Sequence, residues 1–235
     1  MSVAVVIPAL READRIEAAV ASALQGSGGS RETPGEAVDD VSVLVVDGGS
    51  DDETRDRAER AGASILVSAP GRAVQLAAGC AHTTAPIVLF LHADTRLPQG
   101  WLRRVKGALR DPDVVGGAFG FRFDRRSPRL AWIEWGVKVR NVLFRLPYGD
   151  QAIFARRTAI EEMGGLPRAP IMEDLDLVRE LKRRGRFVLI PDPVSTSARR
   201  YERAGPVRTF LRNVGALLAW RLGVDRHRVA RWYRA

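Results

Sequence analysis

The sequence predicts an α/β fold built on a doubly wound sheet, and three observations carry that expectation. Continuous β-branched runs recur through the first half: VAVVIP (3–8), VSVLVVD (41–47), ASILVS (63–68) and PIVLFLH (86–92). Strands that are apolar on both sides are those of a parallel sheet covered on each face. Amphipathic segments at 13–25, 52–61 and 72–83 separate them, the alternation of βαβ units. With 235 residues and 46% hydrophobic side chains, the chain has enough apolar material for one good core.

Taken in order, the first strand runs into PALRE, and the helix at 52–61 is preceded by Ser50 and, three residues on, Glu53, the spacing of a capping box. QGSGGSRETPGEAVDD (25–40) is rich in Gly, Ser and acids and reads as a surface insertion without chemistry. VVGGAFGFRF (114–123) alternates as an antiparallel strand does, PRLAWIEWGVKVRNVLFR (128–145) has helical spacing, and YGDQAIFARR (148–157) reads as a strand. A helix over 173–184 and a short strand, FVLI (187–190), follow. A last helix near 206–222 sets Phe210, Leu211, Val214, Leu217, Leu218 and Leu222 on one face and stops at Gly223.

Charge is distributed unevenly. The net +9 comes almost entirely from residues 196–235, where ten arginines stand against Glu202 and Asp225; the rest carries 27 basic and 26 acidic groups. Basic residues interleave with aromatics too rarely there to predict nucleic-acid binding, and a solvated arginine-rich helix face explains the same charge. A single cysteine, Cys80, excludes a disulfide framework, and MSVAVVIPALRE lacks the regions of a signal peptide, so the expected location is cytoplasmic. No apolar run is long enough to span a bilayer.

In open α/β sheets, ligands bind beyond the carboxyl ends of the strands. The residues there are Pro8, Ala9, Leu10 and Glu12, then Asp47, Gly71 with Arg72, and His92, Ala93 and Asp94. In VLFLHADTRLP (88–98) an apolar run stops at a histidine and an aspartate, a spacing that suggests a metal site. Asp47 opens DGGSDD, which is either a ligand loop or an ordinary turn and helix cap. Arginine is unfavourable at the positive end of a helix without an anion nearby, which points Arg72 toward one, and Gln75 lies one turn further on. The dinucleotide fingerprint and the P-loop are both absent. A third acidic cluster, MEDLD (172–176), remains; its acids equally suit a helix N-terminus.

The series VVIPALRE, VVDGGSDDET, GRAVQLAAG, LFLHADT, GDQAIFARR and IMEDLDLVRELKRRG resembles family 2 glycosyltransferases of the GT-A fold. LHADT, GDQ and TSARR further resemble a bacterial subgroup associated with radical-SAM enzymes and arsenosugar biosynthesis. The resemblance implies one domain, with a nucleotide-sugar half (1–124), an acceptor and catalytic half (125–195) and a basic helical tail (196–235). It implies inverting transfer of a sugar from a nucleotide diphosphate donor, UDP-linked by default, to a hydroxyl on a small-molecule or lipid-linked acceptor. Mn²⁺ or Mg²⁺ is the implied cofactor, held by Asp94 at the last position of the family's DxD. His92 stands at the first position, as a metal ligand, a diphosphate contact or a strand cap.

Asp174 is the implied base, with Glu173, Gly149, Asp150 and Gln151 beside the acceptor. Pro8, Ala9, Leu10, Glu12, Asp47, Gly71, Arg72, Gln75, Ala93 and Asp94 are implied at the donor. Arg199 and Arg200 follow the last short strand closely enough to fold over the diphosphate, which guanidinium forks suit. The helix after them packs on the core or lies on an anionic membrane. The competing reading is a non-catalytic binder of the same fold that holds an anionic membrane or nucleic-acid surface with its basic tail.

Overall fold

The computed structural model describes residues 1–27 and 41–234. Four parallel strands come first: β1 (Val3–Ala9), β2 (Val41–Asp47), β3 (Ser64–Val67) and β4 (Ile87–Phe90), ordered β3-β2-β1-β4 in space. Helices α1 (Ile16–Leu24), α2 (Thr54–Arg60) and α3 (Arg72–His82) connect them. Val3, Val5 and Ile7 of β1 point into one core with Ile16 and Val20 of α1, and Val6 points into a second core with Leu76 and Cys80 of α3. Two-sided burial is the reason these strands read as unbroken apolar runs. The expected insertion at 25–40 lies largely outside the described residues; Gln25–Ser27 is a 3₁₀ turn.

A two-residue strand, β5 (Thr95–Arg96), and helix α4 (Trp101–Ala108) come next. Neither is legible in the sequence, β5 because two residues show no period and α4 because its eight residues bury only Trp101, Leu102 and Val105. The strands β6 (Val114–Phe123), β7 (Ile153–Arg156) and β8 (Arg186–Thr196) then extend the sheet as β4-β7-β6-β8-β5. β6 is antiparallel to β7 but parallel to β8, so the expected antiparallel strand is antiparallel on one side only.

Two expected strands change length. Of 148–157 only 153–156 is strand, because Gly149–Gln151 forms a 3₁₀ turn and Arg157 opens helix α6 (Arg157–Glu162). The strand expected at 187–190 runs on to Thr196, past Pro191 and Pro193, with a register shift opposite Phe119 and Gly120. Proline cannot donate to a ladder, so a strand containing it continues only through such an irregularity.

The remaining helices are α5 (Pro128–Phe144), α7 (Glu173–Arg184), α8 (Arg199–Ala204), α9 (Pro206–Arg221) and α10 (Arg226–Arg234). Two local expectations need correction. The capping box before α2 does not form: Glu53 is itself the cap residue and pairs with Arg57, while the Ser50 hydroxyl donates to Asp47 and accepts from the Arg11 amide. The six apolar residues expected on one face of α9 are only partly covered: Phe210, Val214 and Leu217 are half-buried, and Leu217 packs on the core. Thr209 and Ala216 are the residues that α9 buries, and Leu211, Leu218 and Leu222 stand 60%, 54% and 79% exposed. Gly223 does follow the helix, at φ 72. No helix among the described residues is long and apolar enough to cross a membrane.

Candidate active site

A cavity of about 770 Å³ opens beyond the ends of β3 and β4, where the C-terminal helices return across the sheet. Arg72, the first residue of α3, reaches into it. Its Nε donates to Glu173, its Nη1 lies 3.4 Å from His92 Nε2, and its Nη2 lies 3.7 Å from Asp174 Oδ2. Burial works against the guanidinium charge, but Glu173 and Asp174 outweigh that cost and raise its pKa. Burial together with Arg72 pushes His92 down to about 3. The imidazole is therefore neutral, and because arginine only donates, Nε2 is the acceptor toward Arg72.

Asp174 and Glu173 open α7, after Met172 in the left-handed region at φ 60. Asp174 Oδ2 accepts from the Gly149 amide at 2.7 Å and Oδ1 from the Leu175 amide at 2.9 Å. Asp150 faces the same cavity, but its Oδ1 is buried with no hydrogen-bond partner. Burial, with Asp174 and Asp94 nearby, raises Asp150 to about 6 despite Arg140 and Arg72. Asp94, just beyond β4, also lines the cavity, and burial with Glu12 raises its pKa.

The other sequence-derived residues divide into walls and scaffolding. Gly71, at φ 134, lines the cavity, as does Arg200, whose guanidinium stacks 4.7 Å over the Tyr233 ring. Arg199 instead donates to Glu12 at 2.7 Å, so the expected pair of diphosphate arginines is split. Asp47 is fully buried and accepts from the amides of Gly49 and Ser50 and from the Ser50 hydroxyl. That is the turn-and-cap alternative, with its carboxylate directed into its own loop.

Gln75 donates to the carbonyls of Ala9 and Val46 and so pins α3 across the ends of β1 and β2. Pro8 and Ala9 are still in β1, Ala93 is buried, and Leu10 is exposed. Gln151 is buried and bonded to Arg140, the Tyr148 amide and the Phe119 carbonyl, beneath the cavity floor. Tyr148, Phe121, Tyr201, Asn213 and Tyr233 complete the wall. The sequence offered no signal for them, because they come from five separate segments that only the fold brings together.

No group of three or more His, Cys, Asp or Glu side chains among the described residues forms a protein-only metal cage. A divalent cation that takes most of its oxygens from a diphosphate and water needs only one or two protein carboxylates, and Asp94 fits that role. With Nε2 facing Arg72, His92 fits less well.

Residues 4–161 match the family described as Glycosyl transferase family 2. Uncharacterized glycosyltransferases of Mycobacterium bovis and Mycobacterium tuberculosis are each 31% identical over 181 residues, covering 71% of this chain and 73% of theirs. Among solved structures, glucosyl-3-phosphoglycerate synthase from Mycobacterium tuberculosis, in complex with Mn²⁺, UDP and glucosyl-3-phosphoglycerate, superposes with a TM-score of 0.64 at 23% identity. That superposition covers 95% of this chain and 81% of the other. The same enzyme with Mn²⁺, UDP-glucose and phosphoglyceric acid gives 0.64 at 21% identity, covering 95% and 80%. The sheet order is thus that of a GT-A fold, and the chain belongs to glycosyl transferase family 2.

Proposed function

We propose that the cavity binds a UDP-sugar with a divalent cation, Mn²⁺ or Mg²⁺, and transfers the sugar with inversion to a hydroxyl on a small-molecule or lipid-linked acceptor. The observation that carries this is the meeting, in one cavity beyond the carboxyl ends of β3 and β4, of four carboxylates and three arginines: Asp94, Asp150, Glu173 and Asp174 with Arg72, Arg168 and Arg200. Against a non-catalytic binder stands Asp150, whose buried Oδ1 has no partner, a cost that a working site explains better than a structural one. The solved relatives with UDP-glucose and Mn²⁺ support the choice of donor and ion. LHADT, GDQ and TSARR carry the narrower kinship to the radical-SAM-associated, arsenosugar-type subgroup as part of the same proposal. The outward apolar stripe of α9 adds a peripheral membrane contact.

Asp94 would hold the cation, which supplies charge neutralisation for the departing diphosphate. Arg72 and Arg200 add fixed positive charge along the same wall, and Gly71 lets backbone approach closely. Asp174, oriented by the Gly149 amide and Arg72, accepts the proton of the acceptor hydroxyl as the new bond forms. Asp150 is the specific rival for that proton, since its Oδ1 is unoccupied.

Titration calorimetry with UDP tests the donor site. Affinity is expected to fall at least about tenfold on chelation of Mn²⁺ and to the same extent in Asp94→Ala. Equal affinity with and without metal in both proteins would reject the metal-dependent reading.

A further inference from the structure

Helices α5 and α9 lie side by side, with the Trp132 and Phe210 rings meeting edge to face at 5.0 Å and Gly136 beneath Phe210. Each turns one side inward: Leu130 and Ile133 from α5, Thr209 and Ala216 from α9. The opposite sides are apolar too. On α5, Trp135, Val142 and Leu143 are 68%, 69% and 68% exposed; on α9, Val207 and Leu211 join Leu218 and Leu222 at 62% and 60%. Trp135 and Val142 are seven residues apart, and 207, 211, 218 and 222 are spaced by four, seven and four, so each set forms one stripe on its helix. Exposed apolar residues scattered singly need no explanation, but two adjoining stripes with aromatic members do.

The charges around the stripes indicate what covers them. At helical spacing Arg208 and Arg221 fall on either side of the α9 stripe, and Arg129 and Lys138 on either side of the α5 stripe. All four are exposed, and among the described residues none has an acidic partner. Two copies of so basic a surface would repel each other face to face, whereas anionic headgroups would neutralise it while the apolar side chains enter the acyl boundary. Tryptophan suits that boundary.

We infer that α5 and α9 together form a platform on which the protein docks to an anionic lipid bilayer. The inference rests on this surface and not on the catalytic reading, but it has a consequence for it. Asn213 of α9 lines the cavity, and Arg140 of α5 contacts Gln151 beneath it. Docking therefore brings the cavity close to the membrane plane, within reach of a lipid-linked acceptor.

Vesicle sedimentation of the full chain tests the platform, using phosphatidylcholine vesicles with and without phosphatidylserine at low and high salt. Binding is expected only to the phosphatidylserine vesicles and is expected to weaken with salt. Arg208→Ala with Arg221→Ala should weaken it about tenfold or more. Trp135→Glu with Leu211→Glu should abolish it while leaving UDP calorimetry and circular dichroism unchanged. Retained vesicle binding in the Trp135→Glu, Leu211→Glu protein would overturn the platform, because it would show attraction by the basic tail alone. So would a lack of sedimentation at low salt, or a concentration-dependent dimer in ultracentrifugation that those two substitutions disperse, which would make the face a self-interface. UDP binding and vesicle binding are separate readouts, so failure of one reading leaves the other standing.

Discussion

Two carboxylates, Asp150 and Asp174, face the cavity, and their surroundings differ. Asp174 receives a backbone amide on each oxygen, whereas Asp150 has a buried oxygen with no partner. If Asp174 takes the acceptor's proton, Asp174→Asn should reduce transfer from a UDP-sugar by about 10²- to 10⁴-fold with UDP affinity preserved. Loss of that size in Asp150→Asn, with near-normal turnover in Asp174→Asn, would move the role to Asp150. Asp150 also leaves a mark on stability. Its folded pKa of about 6 lies above the ordinary carboxylate value because of burial, and Asp174 and Asp94 add to the shift while Arg140 and Arg72 oppose it. The folded state therefore binds more protons than the unfolded state between pH ~4 and ~6, and stability from this group is lost as pH rises through that window. In urea titrations Asp150→Asn should gain on the wild type from pH ~4 to ~6; a constant difference would show that Asp150 is not held this way.

Helix α3 supplies the cavity with Arg72 and Gly71, and its height above the sheet is set at Gly79. A Cβ at that position would lie 2.4 Å from Val6 Cγ1 and 2.8 Å from Val46 Cγ2. Only a glycine lets the helix sit low enough for the Gln75 amide to reach the carbonyls of Ala9 and Val46. Gly79→Val should therefore cost about 1–3 kcal/mol in the urea midpoint and weaken UDP binding by displacing Arg72. An unchanged midpoint would show that the contact yields without cost.

Across the whole molecule, the basic C-terminal segment is fastened to α7 at one buried acid, Asp176. Asp176 accepts from Arg226 at 3.1 Å through both oxygens and from Trp220 Nε1 at 2.9 Å, with Arg179 at 3.3 Å. Met172 and Leu175 of the same region pack on Ala216 and Val229. Arg226 of the tail thus has a structural role, and α9 and α10 contribute Asn213, His227 and Tyr233 to the region of the cavity. Arg226→Ala should cost about 1–3 kcal/mol and speed amide exchange across 206–234 while leaving β1 and β2 protected. Uniform loss of protection would instead mean that the tail and the sheet open as one unit.

Local pattern was sufficient wherever one residue's neighbours along the chain decide its place. The doubly wound sheet, its first four strands, the start of α7 at the acidic cluster and the strand-end positions of Asp94 and Arg72 were all legible, because two-sided burial and helical period are written in consecutive residues. Pairings between distant segments were not. Sequence alone could not show that Asp47 turns into its own loop, that Gln75 and Gln151 bind backbone, that Arg199 goes to Glu12 while Arg200 faces the cavity, or that β8 runs through two prolines. Each of these depends on which surface arrives opposite a side chain. The apolar stripe of α9 makes the same point: a period reports that a face is apolar, and only the packing of Thr209 and Ala216 into the fold decided that its Leu211, Leu218 and Leu222 edge faces outward, beside the exposed stripe of α5.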